Sequence, residues 1–246
     1  QTIGAFDNRI ANTGTIIGSI ALGAGNDRIE NYGQIQGDVF LGAGDDTFLH
    51  RASATLTGTV DGGAGSDNLI VDATGGGTVN GNQFLNFERF SQVGQGNVTY
   101  AGAFNFDTLG VAGGSVTVAV GQTLASTGAT TITGTDAAET VTNNGTIAGA
   151  VALGGGNDRF VNAGLVQGTV SLGDGDDSFV EMAGSRVAGG VDGGAGTNLY
   201  TALLSDDRTG LGQRSNFQQL AVTGSGTLSL TLDQSFGTVA LTGTGL

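Results

Sequence analysis

TIIGSIALGAGNDRIENY, residues 15–32, returns at 146–163 as TIAGAVALGGGNDRFVNA, a shift of 131. The match continues outward. GDVFLGAGDDTF at 37–48 becomes GTVSLGDGDDSF at 168–179, and VDGGAGSDN at 60–68 becomes VDGGAGTN at 191–198. Beyond that the shift is 130, pairing Asn86-Phe87 with Asn216-Phe217 and Phe106 with Phe236, so one residue is expected to be lost at the position of Asp67. The 246 residues therefore read as one rod of two tandem modules, about 4–134 and 135–246, the second incomplete.

A shorter period runs inside each module. Ile16, Ile35 and Leu56 recur 19 and 21 residues apart, as do Ile20, Val39, Val60 and Ile29, Phe48, Leu69; Ile147, Val166, Val187 and Val151, Val170, Val191 repeat the pattern. Between these columns apolar and polar residues alternate, the period-2 mark of a strand with one buried face. Glycine clusters interrupt the strands at fixed offsets. A strand–turn unit of about 20 residues cannot cover its own apolar face, but stacking neighbours buries a continuous column. The reading is an all-β, single-stranded parallel β-helix with coils of about 19–21 residues. Residues 72–135 and 199–246 are less regular and are read as longer coils with aromatic core fillers.

Composition agrees. Of the residues 48 are glycine and none is proline, which would remove a ladder hydrogen bond from any coil. There is no cysteine, hence no disulfide and no thiol chemistry. Twenty-two acidic residues against 8 basic ones give a net charge of −14, which repels phosphate backbones and disfavours nucleic acid as a partner. No apolar run reaches transmembrane length. Asn12 and Asn31, and Asn143 and Asn162, stand 19 apart, as a stacked amide ladder would; His50 and Glu181 take the next place, and His50 is expected at a solvent-facing turn.

The turns carry the sharpest chemical signal: GAGND at 23–27, GAGDD at 42–46, GGAGSD at 62–67, GGGND at 154–158 and GDGDD at 173–177. They resemble the GGxGxDxUx nonapeptide of RTX proteins, whose turns bind Ca²⁺. That resemblance makes Asp27, Asp45, Asp46, Asp67, Asp158, Asp176 and Asp177 candidate calcium ligands, stacked in a single short file. The competing reading is that each aspartate caps its own turn through Asx hydrogen bonds and points into solvent. Asp27-Arg28 and Asp158-Arg159 read as surface ion pairs worth under about 1 kcal/mol. No nucleophile–base–acid set is apparent, so no enzyme is expected. Threonines are read as scattered rather than aligned in one column.

Coils such as IENYGQIQGDVFLGAGDD at 29–46 and FVNAGLVQGTVSLGDGDD at 160–177, with NFE at 86–88 and NFQ at 216–218, resemble the passenger region of Gram-negative autotransporters, the type V secretion adhesins. The resemblance implies a right-handed β-helix, exported across the outer membrane to the cell surface. There it would act as a structural or adhesive rod toward host or neighbouring cell-surface molecules or polysaccharide. Its alternatives are a β-helical enzyme acting on polysaccharide and an ice-binding module. Open coil ends, at Gln1-Thr2-Ile3 and Leu246, suggest self-association end to end or membership of a longer fibre.

Overall fold

The structure, a computed structural model, describes residues 5–209, 212–229 and 236–242; the expectations for Gln1-Thr2-Ile3 and Leu246 fall outside them. The chain is a parallel β-solenoid. One face is an 11-stranded sheet running from Arg9–Asn12 to Arg214–Ser215, and a second is a nine-stranded sheet from Gly77–Asn80 to Thr238–Thr242. Shorter sheets of four, four, three and two strands complete the coils, and Gly81–Gln83 forms a single turn of 3₁₀ helix. Eleven strands at the spacing of about 4.8 Å make the long sheet about 50 Å from end to end.

Every column read from the sequence stacks in register: Ile16 on Ile35 on Leu56, Ile20 on Val39 on Val60, Ile29 on Phe48 on Leu69. The inward side of the long sheet can be followed from Ile10 through Ile29, Phe48, Leu69, Phe90 and Leu109 to Ile132, Val151, Val170, Val191 and Arg214. The coils of 19 to 21 residues hold in the regular stretches and widen to 23 between Leu109 and Ile132 and between Val191 and Arg214. In the coil just before the first of these, Phe90, Tyr100, Phe104 and Phe106 fill the interior, with ring centroids 5.0–5.7 Å apart. In the second module Phe160, Phe179 and Tyr200 stack nearly parallel at 5.4 and 5.5 Å.

The amide ladders form, Asn12 Nδ2 donating to Asn31 Oδ1 at 2.8 Å and Asn143 Nδ2 to Asn162 Oδ1 at 2.9 Å. His50 continues the first ladder and is buried, not solvent-facing. It lies 3.4 Å from Asn31 Nδ2 and stacks on Phe48, and burial lowers its pKa to about 4, so the imidazole is neutral. Four threonines, Thr78, Thr99, Thr117 and Thr142, do align on the outer face of the nine-stranded sheet, contrary to the reading of scattered threonines. The coil lengths that bring them together, 21, 18 and 25, are too irregular for the alignment to show in sequence spacing.

Two further expectations change. Tyr200 pairs with Phe179 as Leu69 pairs with Phe48, so the shift of 131 persists past residue 198. The lost residue lies between 200 and 216, and Asp67 is replaced by Asn198, not deleted. Nor do the two modules repeat on the same side of the rod. Ile29 lies in the 11-stranded sheet, whereas its counterpart Phe160 lies in the nine-stranded one, because 131 residues are not a whole number of coils. The aspartate turns therefore form two files at different corners rather than one.

Candidate functional site

Each glycine turn ends in a doublet, Asn26-Asp27 or Asp45-Asp46, and successive residues of an extended backbone face opposite ways. The first member points out and the second in. In the outer row Asn26 Oδ1 accepts the amide of Asp45 at 2.9 Å and Asp45 Oδ1 that of Ser66 at 3.0 Å; Asn157 and Asp176 do the same at 2.9 and 2.8 Å. Asp45 and Asp176 are exposed.

The inner row runs with opposite polarity. Asp46 Oδ1 accepts the amide of Asp27 at 2.7 Å and Asp67 Oδ1 that of Asp46 at 2.8 Å. In the second module Asp158 accepts from Glu139 at 2.8 Å, Asp177 from Asp158 at 2.7 Å and Asn198 from Asp177 at 2.9 Å. These bonds join neighbouring coils, so the aspartates are neither local Asx caps nor solvent-facing: Asp27, Asp46, Asp67, Asp158 and Asp177 are each 2% exposed or less. The repeated Asn-Phe-Glu and Asn-Phe-Gln elements close the rows. Glu88 Oε2 takes the amide of Asp67 at 2.7 Å and Gln218 Oε1 that of Asn198 at 2.6 Å, each side chain one methylene longer than the aspartates of the row.

One oxygen of every inner carboxyl is left over. Oδ2 of Asp27, Asp46, Asp67, Asp158 and Asp177, and Oε2 of Glu139, are buried with no hydrogen-bond partner. An unpartnered buried acceptor costs about 1–3 kcal/mol, more if charged. Burial pushes Asp67 up to about 6 and Asp158 up to about 7, and raises Asp46 and Asp177 as well. Glu139 escaped the sequence reading; its signal is its place 19 residues before Asp158.

Calcium takes six to eight oxygens at 2.3–2.6 Å. The inner row fits that demand poorly. Each carboxyl already spends one oxygen on a backbone amide, the rows are sealed from water, and among the described residues no three acidic or histidine side chains converge on one point. Of the seven expected ligands, five lie in the two inner files and two in the outer rows.

The arginines beside these turns pair elsewhere. Arg28 Nε bonds Glu30 at 2.8 Å rather than Asp27, and with Arg9 it holds Glu30 below the usual carboxylate range; Arg159 reaches Ser178 Oγ at 3.4 Å. Glu181, at the end of the second amide ladder, is wholly buried. It accepts from the Tyr200 hydroxyl, from Arg208 at 2.6 Å and from Arg214 at 3.0 Å, and the Arg214 guanidinium lies over the rings of Phe179 and Tyr200.

Two grooves open near this pair. One, about 620 Å³, lies on the outside of the long sheet among Thr169, Ser171, Asp192, Gln213 and Ser215. The other, about 420 Å³, gathers Arg186, Arg208, Asp206 and Asp207 with Ser185. No helix of the described residues is long and apolar enough to cross a membrane. Comparison with protein-family models, with curated proteins and with solved structures finds no match.

Proposed function

We propose that this chain is a structural or adhesive rod of the bacterial cell surface, of the autotransporter-passenger type, whose coils present a long polar face to polysaccharide or to surface molecules of another cell. The observation that carries the reading is the uninterrupted 11-stranded sheet through both modules, which makes a stiff, elongated body with a polar, acid-rich exterior. Such a body displays binding surface at a distance, a task that repetition serves directly. The groove of Arg186 and Arg208 suits an acidic sugar, since a guanidinium matches carboxylate or sulfate geometry.

Acids and arginines sharing that groove also favour a second reading, an enzyme acting on acidic polysaccharide. One experiment separates them. The purified rod is titrated with immobilised acidic polysaccharides while soluble reducing and unsaturated sugars are assayed. The expected result is saturable binding, weakened several-fold by Arg186→Ala, with no sugar released. Turnover that disappears in Asp206→Asn or Asp207→Asn would establish the enzyme instead. The aligned threonines give the ice-binding alternative its own check, thermal hysteresis of the same preparation.

A further inference from the structure

The two modules hold one turn in two chemical versions. Asn198 stands where Asp67 stands, and each accepts the amide of the inner-row aspartate before it on Oδ1, at 2.9 and 2.8 Å. The other side-chain atom differs. Asn198 Nδ2 donates to the carbonyl oxygens of Asn216 at 3.0 Å and Gly194 at 3.3 Å. Asp67 puts Oδ2 in the same place. A Cβ on Gly62 would crowd both Asp67 Oδ2 and the Asn86 carbonyl oxygen within 2.9 Å, just as one on Gly193 would crowd Asn198 Nδ2 and the Asn216 carbonyl oxygen. Asn86 and Asn216 share the same left-handed backbone, φ 56° and 59°, so the carbonyl is presented alike in both modules. In the second module a donor meets that carbonyl. In the first module the corresponding atom is a carboxyl oxygen, buried beside the same corner and without any donor of its own.

A second place repeats the conflict between two acids. Asp158 and Glu139 are buried side-chain neighbours, and each has one orphaned oxygen, Oδ2 and Oε2. Glu139 Oε1 is already occupied by the amide of Gly113 and the hydroxyl of Thr135, both at 2.9 Å.

We propose that Asp67 and the Asp158–Glu139 pair are proton-binding sites of the folded rod. One proton is taken up at each on an orphaned oxygen, and at Asp67 the new O–H fills the place of the Asn198 amide hydrogen. At Asp67 the acid donates to a backbone carbonyl; at the pair, Asp158 donates to the Glu139 carboxylate. The charged groups acting on Asp67 are Asp45 and Asp46 from the preceding coil and Glu88 from the following one. Those acting on Asp158 are Glu139 from the preceding coil, and Asp177 from the following one. None is basic; the ionised form is favoured only by the backbone amide each carboxyl accepts on Oδ1, from Asp46 and from Glu139, and burial outweighs it, raising the groups to about 6 and about 7. A carboxyl raised in the folded state from its ordinary 3.8 contributes stability that is fully present below that value. The contribution is lost as pH rises through about 6 at Asp67 and about 7 at Asp158.

The test is equilibrium unfolding of the whole chain from below pH 3.8 to pH 8, with and without calcium, for the wild type and four variants. Asp67→Asn should melt higher than the wild type at pH 8, the difference shrinking as pH falls from about 6 to 3.8, with the slope in that window flattened by up to one proton. Asp158→Asn should flatten the slope likewise. Asn198→Asp should do the reverse, melting lower at pH 8 and steepening the slope. The exposed Asp176→Asn removes the same charge without acting on Asp67 or Asp158 and should leave the slope unchanged, which separates the buried sites from the general repulsion of a −14 chain. The proposal is overturned if Asp67→Asn melts below the wild type at pH 8, or if Asn198→Asp leaves the slope unchanged. It is also overturned if calcium raises the wild-type melting temperature at pH 8 and Asp67→Asn abolishes that rise, since the orphaned oxygen would then hold a metal.

Discussion

Gly42→Ala and Gly173→Ala should each destabilise the rod by about 2–6 kcal/mol, about 1–3 from backbone strain and about 1–3 from steric intrusion. Both residues sit in turns with positive φ, 122° and 108°, where an L side chain is strained. A Cβ on either would also stand closer than 3 Å to the backbone carbonyl of the glycine one coil earlier, Gly23 or Gly154. That carbonyl cannot swing aside, because the coils are tied to one another along the stack. Two other glycines isolate the parts. Gly184 has φ 76° but open space around its Cα, so Gly184→Ala should show the strain alone. Gly14 has neither feature, and Gly14→Ala should be neutral or slightly stabilising. Urea unfolding of the four variants should rank them in that order; equal effects at Gly14 and Gly42 would mean that the turns do not stack closely.

Glu181→Ala should cost about 3–5 kcal/mol, the range for stranding a buried charge. Its partner Arg214 has a side chain only 1% exposed, so the guanidinium would be left in the core without a counter-charge from Glu181, held by the Gln213 carbonyl at 2.8 Å, the Tyr200 hydroxyl and its flanking rings. Glu181→Leu combined with Arg214→Leu should recover most of the loss, because the pair's mutual attraction is offset by the cost of taking both ions out of water. A double-mutant cycle measures the coupling directly. Additive losses would show that the two groups do not meet.

The columns Ile20–Val39–Val60 and Ile29–Phe48–Leu69 were legible because stacking imposes one spacing on every coil, and strand alternation marks which residues face in. The amide ladders were legible for the same reason. The direction of Asp27, Asp46 and Asp67 was not. A charged residue in a glycine turn reads as solvated, and only the backbone of the turn decides that the second acid of each doublet points into the rod. The Glu181–Arg214 pair joins residues 33 apart through the core, a separation set by one wide coil and carrying no local mark. The half-coil offset between modules was hidden in the irregular stretch around 109–132, where coil length departs from 19–21. Asn198 shows the opposite case: its meaning as a substitution for Asp67 emerges only when the strand after it is placed in register.

The most direct test of this architecture is amide hydrogen exchange at the inner row, resolved residue by residue at neutral pH. The amides of Asp27, Asp46, Glu139, Asp158 and Asp177 each donate to a carboxyl or amide oxygen of the next coil, inside the rod. They should therefore exchange as slowly as neighbouring strand amides such as Ile29 and Phe160, opening only when the stack itself opens. Rapid exchange at these five positions, with the strands still protected, would place the aspartates in solvent and contradict the inward row.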